Sequence, residues 1–238
     1  MPRARLLVGV AVLLLSSGVP SSAQTRNEFW PGFDAYIKLK PRTRLYLTAA
    51  LVRAKEPEAA SGGFYRDITL GAHLDISLKP IFRRKLAQKG DWERERYLWA
   101  RIGYRYGTTL GDVEDPSREH RGILELTGRA PLPRNFWVVL RNRADLRDVN
   151  GNYSSRYRLR LTVEREVRLF GLDTVPYINA EAFYDTRYDA WNRQRYQAGL
   201  EIALSKRWRI EPYYTRQNDQ RSDAPHLNAF GLSLKYYR

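Results

Sequence analysis

The feature that most constrains this chain is a strict alternation of apolar and polar residues, recurring along most of its length. Between Asp67 and Leu78, Ile68, Leu70, Ala72, Leu74, Ile76 and Leu78 hold one parity, and Asp67, Thr69, His73, Asp75 and Ser77 hold the other. A pleated strand sends successive side chains to opposite faces, so the two sets lie on opposite sides of a sheet. The run is twice the usual length of about five or six residues for a globular strand. It reaches the roughly 9–11 that a tilted strand needs to cross a bilayer.

The pattern repeats. Residues 43–52, 97–106, 121–130 and 136–147 alternate in the same way, followed by stretches around 157–163, 178–184, 196–204, 207–215 and 228–237, with a shorter first strand over 33–40. These make eleven segments, and no helical period of comparable length competes with them. Eleven long strands are too many for an eight-stranded soluble barrel, and they point to a membrane barrel with lipid outside and a polar lumen. Bacterial barrels of a single chain carry an even number of strands. The expected fold is therefore an all-β, antiparallel, up-and-down transmembrane β-barrel of about 12 strands, with 10 as the alternative. The extra strand would come from Asn27-Glu-Phe-Trp30 or from 79–94. The 16 tyrosines and 6 tryptophans suit aromatic girdles at two membrane interfaces.

The connections alternate in character as well. Lys40-Pro41-Arg42, Pro131-Leu132-Pro133-Arg134, Phe170-Gly171-Leu172-Asp173 and Ser205-Lys206 read as tight turns. Longer polar loops are expected near 54–65, 107–119, 148–153, 185–192 and 217–225, with Asn150-Gly151 a local turn signal inside one of them.

Two domains follow. Residues 1–23 read as a signal peptide: Arg3 and Arg5, an apolar run from Leu6 to Leu15, and small residues Ser21-Ser22-Ala23 before a cut at Gln24. The apolar run falls short of the roughly 20 residues of a spanning helix. An uncleaved anchor is the alternative. Residues 24–238 form the barrel domain, whose formal charge is +13 once the two signal arginines are removed from +15. The absence of cysteine excludes disulfide and thiol chemistry.

Several stretches resemble one family. Asn27-Glu-Phe-Trp-Pro-Gly-Phe-Asp-Ala-Tyr36 with Arg44-Leu-Tyr-Leu-Thr-Ala-Ala-Leu51 resembles the opening of the barrels called domain of unknown function 2490. Arg101-Ile-Gly-Tyr-Arg-Tyr106 and Asn192-Arg-Gln-Arg-Tyr-Gln-Ala-Gly-Leu200 are similar to its middle, and Glu211-Pro-Tyr-Tyr-Thr-Arg-Gln-Asn218 with Asn228-Ala-Phe-Gly-Leu232 to its close. The resemblance implies export to the outer membrane of a Gram-negative bacterium and supplies no activity. Its partners would be outer-membrane lipid and lipopolysaccharide, with the barrel-assembly machinery reading the last strand during biogenesis. That strand ends on Tyr237-Arg238, a charge where such barrels commonly close on an aromatic residue.

Candidate sites are few. His73, Asp75 and Ser77 share one face and superficially suggest a triad, but residues four apart on a strand lie about 13 Å apart. A nucleophile and its base must approach within about 3 Å. His120 and His226 fall near outer loops. No catalytic residue and no cofactor is assigned. Asp112, Glu114 and Asp115 come nearest to a cation loop without the ligand spacing of one, so no metal site is assigned.

The informative cluster is basic. Arg141, Arg143 and Arg147 share the lumen face of one strand, and Arg156, Arg158 and Arg160 share that of the next. Pairing across 148–153 brings the two rows together, and like charges placed so would repel. One outcome is a lumen filled by ion pairs with Asp145, Glu164, Glu166, Glu125 and other acids. Others are an electropositive path that favours anions, or arginines at the rim that bind lipopolysaccharide phosphates. A pI near 10 conventionally suggests nucleic acid. Arginines that alternate with lipid-facing residues in an exported chain argue against that partner. The expected function is thus a narrow pore or a structural envelope protein, with an outer-membrane lipid-modifying hydrolase as the alternative.

Overall fold

The computed structural model describes residues 25–54, 65–78, 97–111, 115–221 and 225–238. The segment read as a signal peptide, all of 79–94, and Asp112 and Glu114 lie outside them. The wall is built from β1 (Thr25–Lys40), β2 (Thr43–Ala54), β3 (Asp67–Ser77), β4 (Leu98–Thr109), β5 (Arg118–Leu132), β6 (Phe136–Val149) and β7 (Asn152–Arg165). It continues through β8 (Val167–Leu169), β9 (Leu172–Asp185), β10 (Ala190–Ala203), β11 (Trp208–Asp219) and β12 (His226–Tyr237).

Among the described residues, twelve strands form one sheet, and eleven of them close the ring. The twelfth, β8, is three residues long and continues β7 past Glu166, since both pair with β9. The Asn27-Glu-Phe-Trp30 stretch is not a separate strand. It belongs to β1, which runs for 16 residues. Each of the eleven strands that close the ring has at least 11 residues, enough to cross a bilayer. An odd ring has a geometric consequence: antiparallel neighbours alternate in direction, so the first and last of eleven strands run the same way. β1 and β12 accordingly pair in parallel, from Thr25 opposite His226 to Tyr36 opposite Tyr237. Parallel neighbours normally need a long crossover. The first and last wall strands need no connection at all.

The turns follow local chemistry. Asn150 and Gly151 both have positive φ, 50° and 81°, the requirement of a two-residue hairpin whose twist matches its strands. β6 and β7 therefore run almost into each other, and the long loop expected over 148–153 is instead this tight turn. In 107–119 and 185–192 the strands take both ends, leaving 110–117 and 186–189 between them.

The two faces are inverted relative to a soluble domain. Among the described residues, six apolar side chains are buried against twenty-one polar or charged ones. Leu47, Leu70, Ile102, Leu124, Leu140 and Ile178 are exposed on the outer face. With apolar atoms outside and charges inside, the natural surroundings are hydrocarbon.

Candidate functional site: the charged lumen

Cross-strand register builds the site. Reading around the wall, Arg44 lies opposite Asp75, Asp75 opposite Arg101, Arg101 opposite Glu125, and Glu125 opposite Arg143. The sequence of signs breaks at β6–β7, where Arg143 faces Arg158 and Arg141 faces Arg160. It resumes where Arg160 faces Glu181 and Glu181 faces Arg195. Directly opposed like charges destabilise a sheet. The two arginine rows therefore depend on carboxylates reached from neighbouring strands.

Glu181 is the main acceptor. Its carboxylate takes N–H bonds from Arg141 (2.6 Å), Arg158 (3.0 Å to each oxygen) and Arg160 (2.8 Å). The Arg158 contact is the two-pronged fork that makes guanidinium–carboxylate pairs strong. Asp145 accepts from Arg143 and lies 3.6 Å from Arg158. Nearer the loop end, Asp185 takes Arg156 (2.7 Å) and Arg187 (2.9 Å), with Arg147 at 3.5 Å, while Arg147 also donates to Glu119. Arg187 stands in the connection after β9, and its hydrogen bond to Asp185 raises its pKa above the ordinary arginine value. All six arginines of the two rows thus point into the lumen and contact carboxylates there.

An aromatic ring sits among these charges. The Phe183 ring is buried, with the guanidinium carbons of Arg158 (4.7 Å), Arg195 (5.3 Å), Arg193 (5.8 Å) and Arg156 (6.0 Å) around it. Such contacts attract through the ring quadrupole and gain strength when desolvated. On the opposite wall, Asp75 holds Arg44 (2.7 Å) and Arg101 (2.6 Å). His73 stacks on Tyr46 at 5.1 Å and accepts an N–H from Arg105 at 3.3 Å.

Of the acids expected to neutralise the rows, Asp145 and Glu125 stand within the belt. Glu164 and Glu166 do not, because both bind Arg129 near the turn end, at 2.6 and 3.3 Å. Glu181, Asp185, Asp75 and Glu119 were not singled out from sequence for this role. For the first two the parity was available: with Ile178, Ala180, Ala182 and Tyr184 facing out, Glu181 and Asp185 must face in.

On the turn side of the belt lies a cavity of about 350 Å³, with Trp99, Glu164, Asn179, Glu201, Glu211 and Lys235 among its walls. Lys235 ties Glu201 (2.5 Å) to Glu211 (2.8 Å), and Arg209 also binds Glu201. Trp99 Nε1 and Asn179 Oδ1 are buried without a hydrogen-bond partner among the described residues. Toward the middle of the barrel the charges are buried: Asp75 and Asp145 are 0% exposed and Glu181 is 3% exposed.

The histidines are divided by face. His73 is in the lumen, whereas His120 contacts Tyr104 and His226 contacts Asn218 Oδ1 at 3.0 Å.

The chain is similar to two solved barrels. One is the β domain of the Bordetella autotransporter BrkA, with 16% identity and a TM-score of 0.52 over 81% of this chain and 83% of that one. The other is LpxR from Salmonella typhimurium, with 11% identity and a TM-score of 0.48 over 83% of each chain. No curated protein sequence matches this chain. The likeness to the BrkA domain shows the shared fold, an outer-membrane type of β-barrel. The model of the family described as "Protein of unknown function (DUF2490)" matches residues 83–228, more than half of the sequence, and the chain belongs to that family.

Proposed function

We propose that this protein is a filled, non-catalytic structural barrel of the Gram-negative outer membrane, exported by an N-terminal signal peptide. The observation that carries this reading is the burial of the mid-lumen charges. A water-filled channel leaves its lining side chains wet, yet Asp75 and Asp145 expose no surface and Arg143 and Glu181 only 3% each. An eight-stranded ring is filled by ordinary side chains and a sixteen-stranded one holds an aqueous channel. Eleven strands lie between, and here long arginines bridged by carboxylates occupy the extra width.

His73 supports the non-catalytic part. A general base needs a nitrogen free to take a proton from its nucleophile. His73 Nε2 accepts the Arg105 N–H, which leaves the ring proton on Nδ1, a buried atom without a hydrogen-bond partner among the described residues, and the ring is stacked on Tyr46. A lipid-modifying hydrolase would need another base.

The test is refolding of residues 24–238 into a planar bilayer with a salt gradient across it. Insertion is established separately by heat-modifiable gel mobility. The expected result is silence from inserted protein. Steady anion-selective conductance, weakened by replacing Arg141 and Arg158, would overturn the filled barrel and make the arginines a filter.

A further inference from the structure

We propose that the turn end of this barrel is a docking surface for anionic phospholipid headgroups. The inference rests on the membrane-barrel reading above, and it begins from an asymmetry of charge. The four short turns at this end, 39–42, 132–135, 165–173 and 204–207, carry seven exposed cations and one exposed carboxylate, Asp173. At the other end, the described residues of the connections carry Arg66, Arg187 and Arg221 against Asp115 and Asp189.

Charge alone would suit any polyanion. What favours a lipid surface is the company the cations keep. In the first and second turns, exposed Leu39 precedes Lys40, and exposed Leu132 precedes Arg134. In the third and fourth, fully exposed Phe170 follows Arg168, and exposed Leu204 precedes Lys206. Each turn thus presents an apolar side chain beside a cation. That pairing belongs at the boundary of hydrocarbon and headgroup, where apolar groups insert and long basic side chains reach the phosphates.

Local geometry leaves these charges available. Arg165 lies 4.9 Å from the Phe136 ring and gives one N–H to the Arg134 carbonyl. Arg168 gives one N–H to the Gly171 carbonyl. Bonds to neutral carbonyls hold the guanidiniums at the rim without cancelling their charge, and each retains further donors for a phosphate. The turn end of an outer-membrane barrel meets the phospholipid leaflet, and its periplasmic turns lie at that leaflet's headgroups.

The test uses the full chain in vesicles of equal phosphatidylcholine and phosphatidylglycerol. The lipid retained by each barrel after extraction into nanodiscs is then quantified. Phosphatidylglycerol should be enriched over the bulk ratio, and the enrichment should fall by up to about five-fold for each engaged cation removed among R134Q, R165Q, R168Q and R207Q. Raising salt on the unaltered protein should abolish the enrichment too, so a variant that fails to fold does not decide the matter. Bulk lipid ratio around inserted protein would overturn this inference and leave the membrane barrel standing. Failure to insert into vesicles would overturn both. Loss of enrichment with inorganic phosphate, but not with chloride of equal ionic strength, would overturn the lipid surface in favour of a free-phosphate site. Binding to purified peptidoglycan through these cations, without lipid preference, would overturn it in favour of an acidic wall polymer.

Discussion

Glu181 bonds three guanidiniums at once from a position 3% exposed, so its charge is the one that the β6 and β7 arginine rows depend on most. Replacement by glutamine keeps the shape and removes the charge, stranding Arg141, Arg158 and Arg160 in a desolvated lumen. Breaking one side of a buried pair in this way costs about 3–5 kcal/mol. Glu181→Gln should lose that much in urea unfolding from micelles, followed by tryptophan fluorescence. Asp173→Asn, at an exposed turn, should stay within about 0.5 kcal/mol of the parent. An equally small loss for Glu181→Gln would show that the network redistributes its charge. The arginine rows were legible in the sequence because i, i+2 spacing on a strand fixes a shared face. Their acceptors were not. Which carboxylate meets which arginine depends on the register between β7 and β9, and that is set by the break at Glu166 and the turn at Phe170-Gly171, neither of which alternation encodes.

The seam between β1 and β12 carries the main surprise at the scale of elements. Eleven alternating segments could be counted directly. The even-number rule for bacterial barrels adjusts that count to twelve or ten, whereas the ring keeps eleven and closes in parallel. Nothing in a strand's own sequence states whether its neighbour runs with it or against it. Direction follows from the parity of the whole ring. Gly32 and Ser233 offer a direct check, because they face each other across the seam, and a Cβ built on Gly32 would lie 3.9 Å from that of Ser233. That spacing suits a disulfide, whose Cβ atoms lie about 3.5–4.5 Å apart. The chain has no other cysteine to compete. The double variant Gly32→Cys, Ser233→Cys should cross-link on mild oxidation of the folded barrel, giving a shifted band on a non-reducing gel. An antiparallel seam that opposed this pair would carry Glu28 and Ala229, also opposed here, about 26 Å apart, so the double variant Glu28→Cys, Ala229→Cys should cross-link as well. Persistence of two free thiols in folded protein would therefore refute the parallel closure.

For the whole molecule, the decisive physical quantity is the sign of the response to a charge placed outside. A soluble barrel with exposed leucines would accept an arginine there with little effect on stability. A barrel in hydrocarbon would not, and its penalty must depend on depth. Leu124 is 50% exposed on the outer wall, next in sequence to Glu125 of the lumen belt and near the middle of β5. Tyr153 is 70% exposed at the loop end of β7. At the midplane an outward arginine costs about 2–4 kcal/mol, and near an interface about 0–1 kcal/mol. Leu124→Arg should thus destabilise the barrel in liposomes by several times as much as Tyr153→Arg, measured by reversible denaturant unfolding. Equal penalties in liposomes would mean that the apolar belt is not seated in the bilayer core. They would return the exposed leucines to the status of an ordinary protein surface.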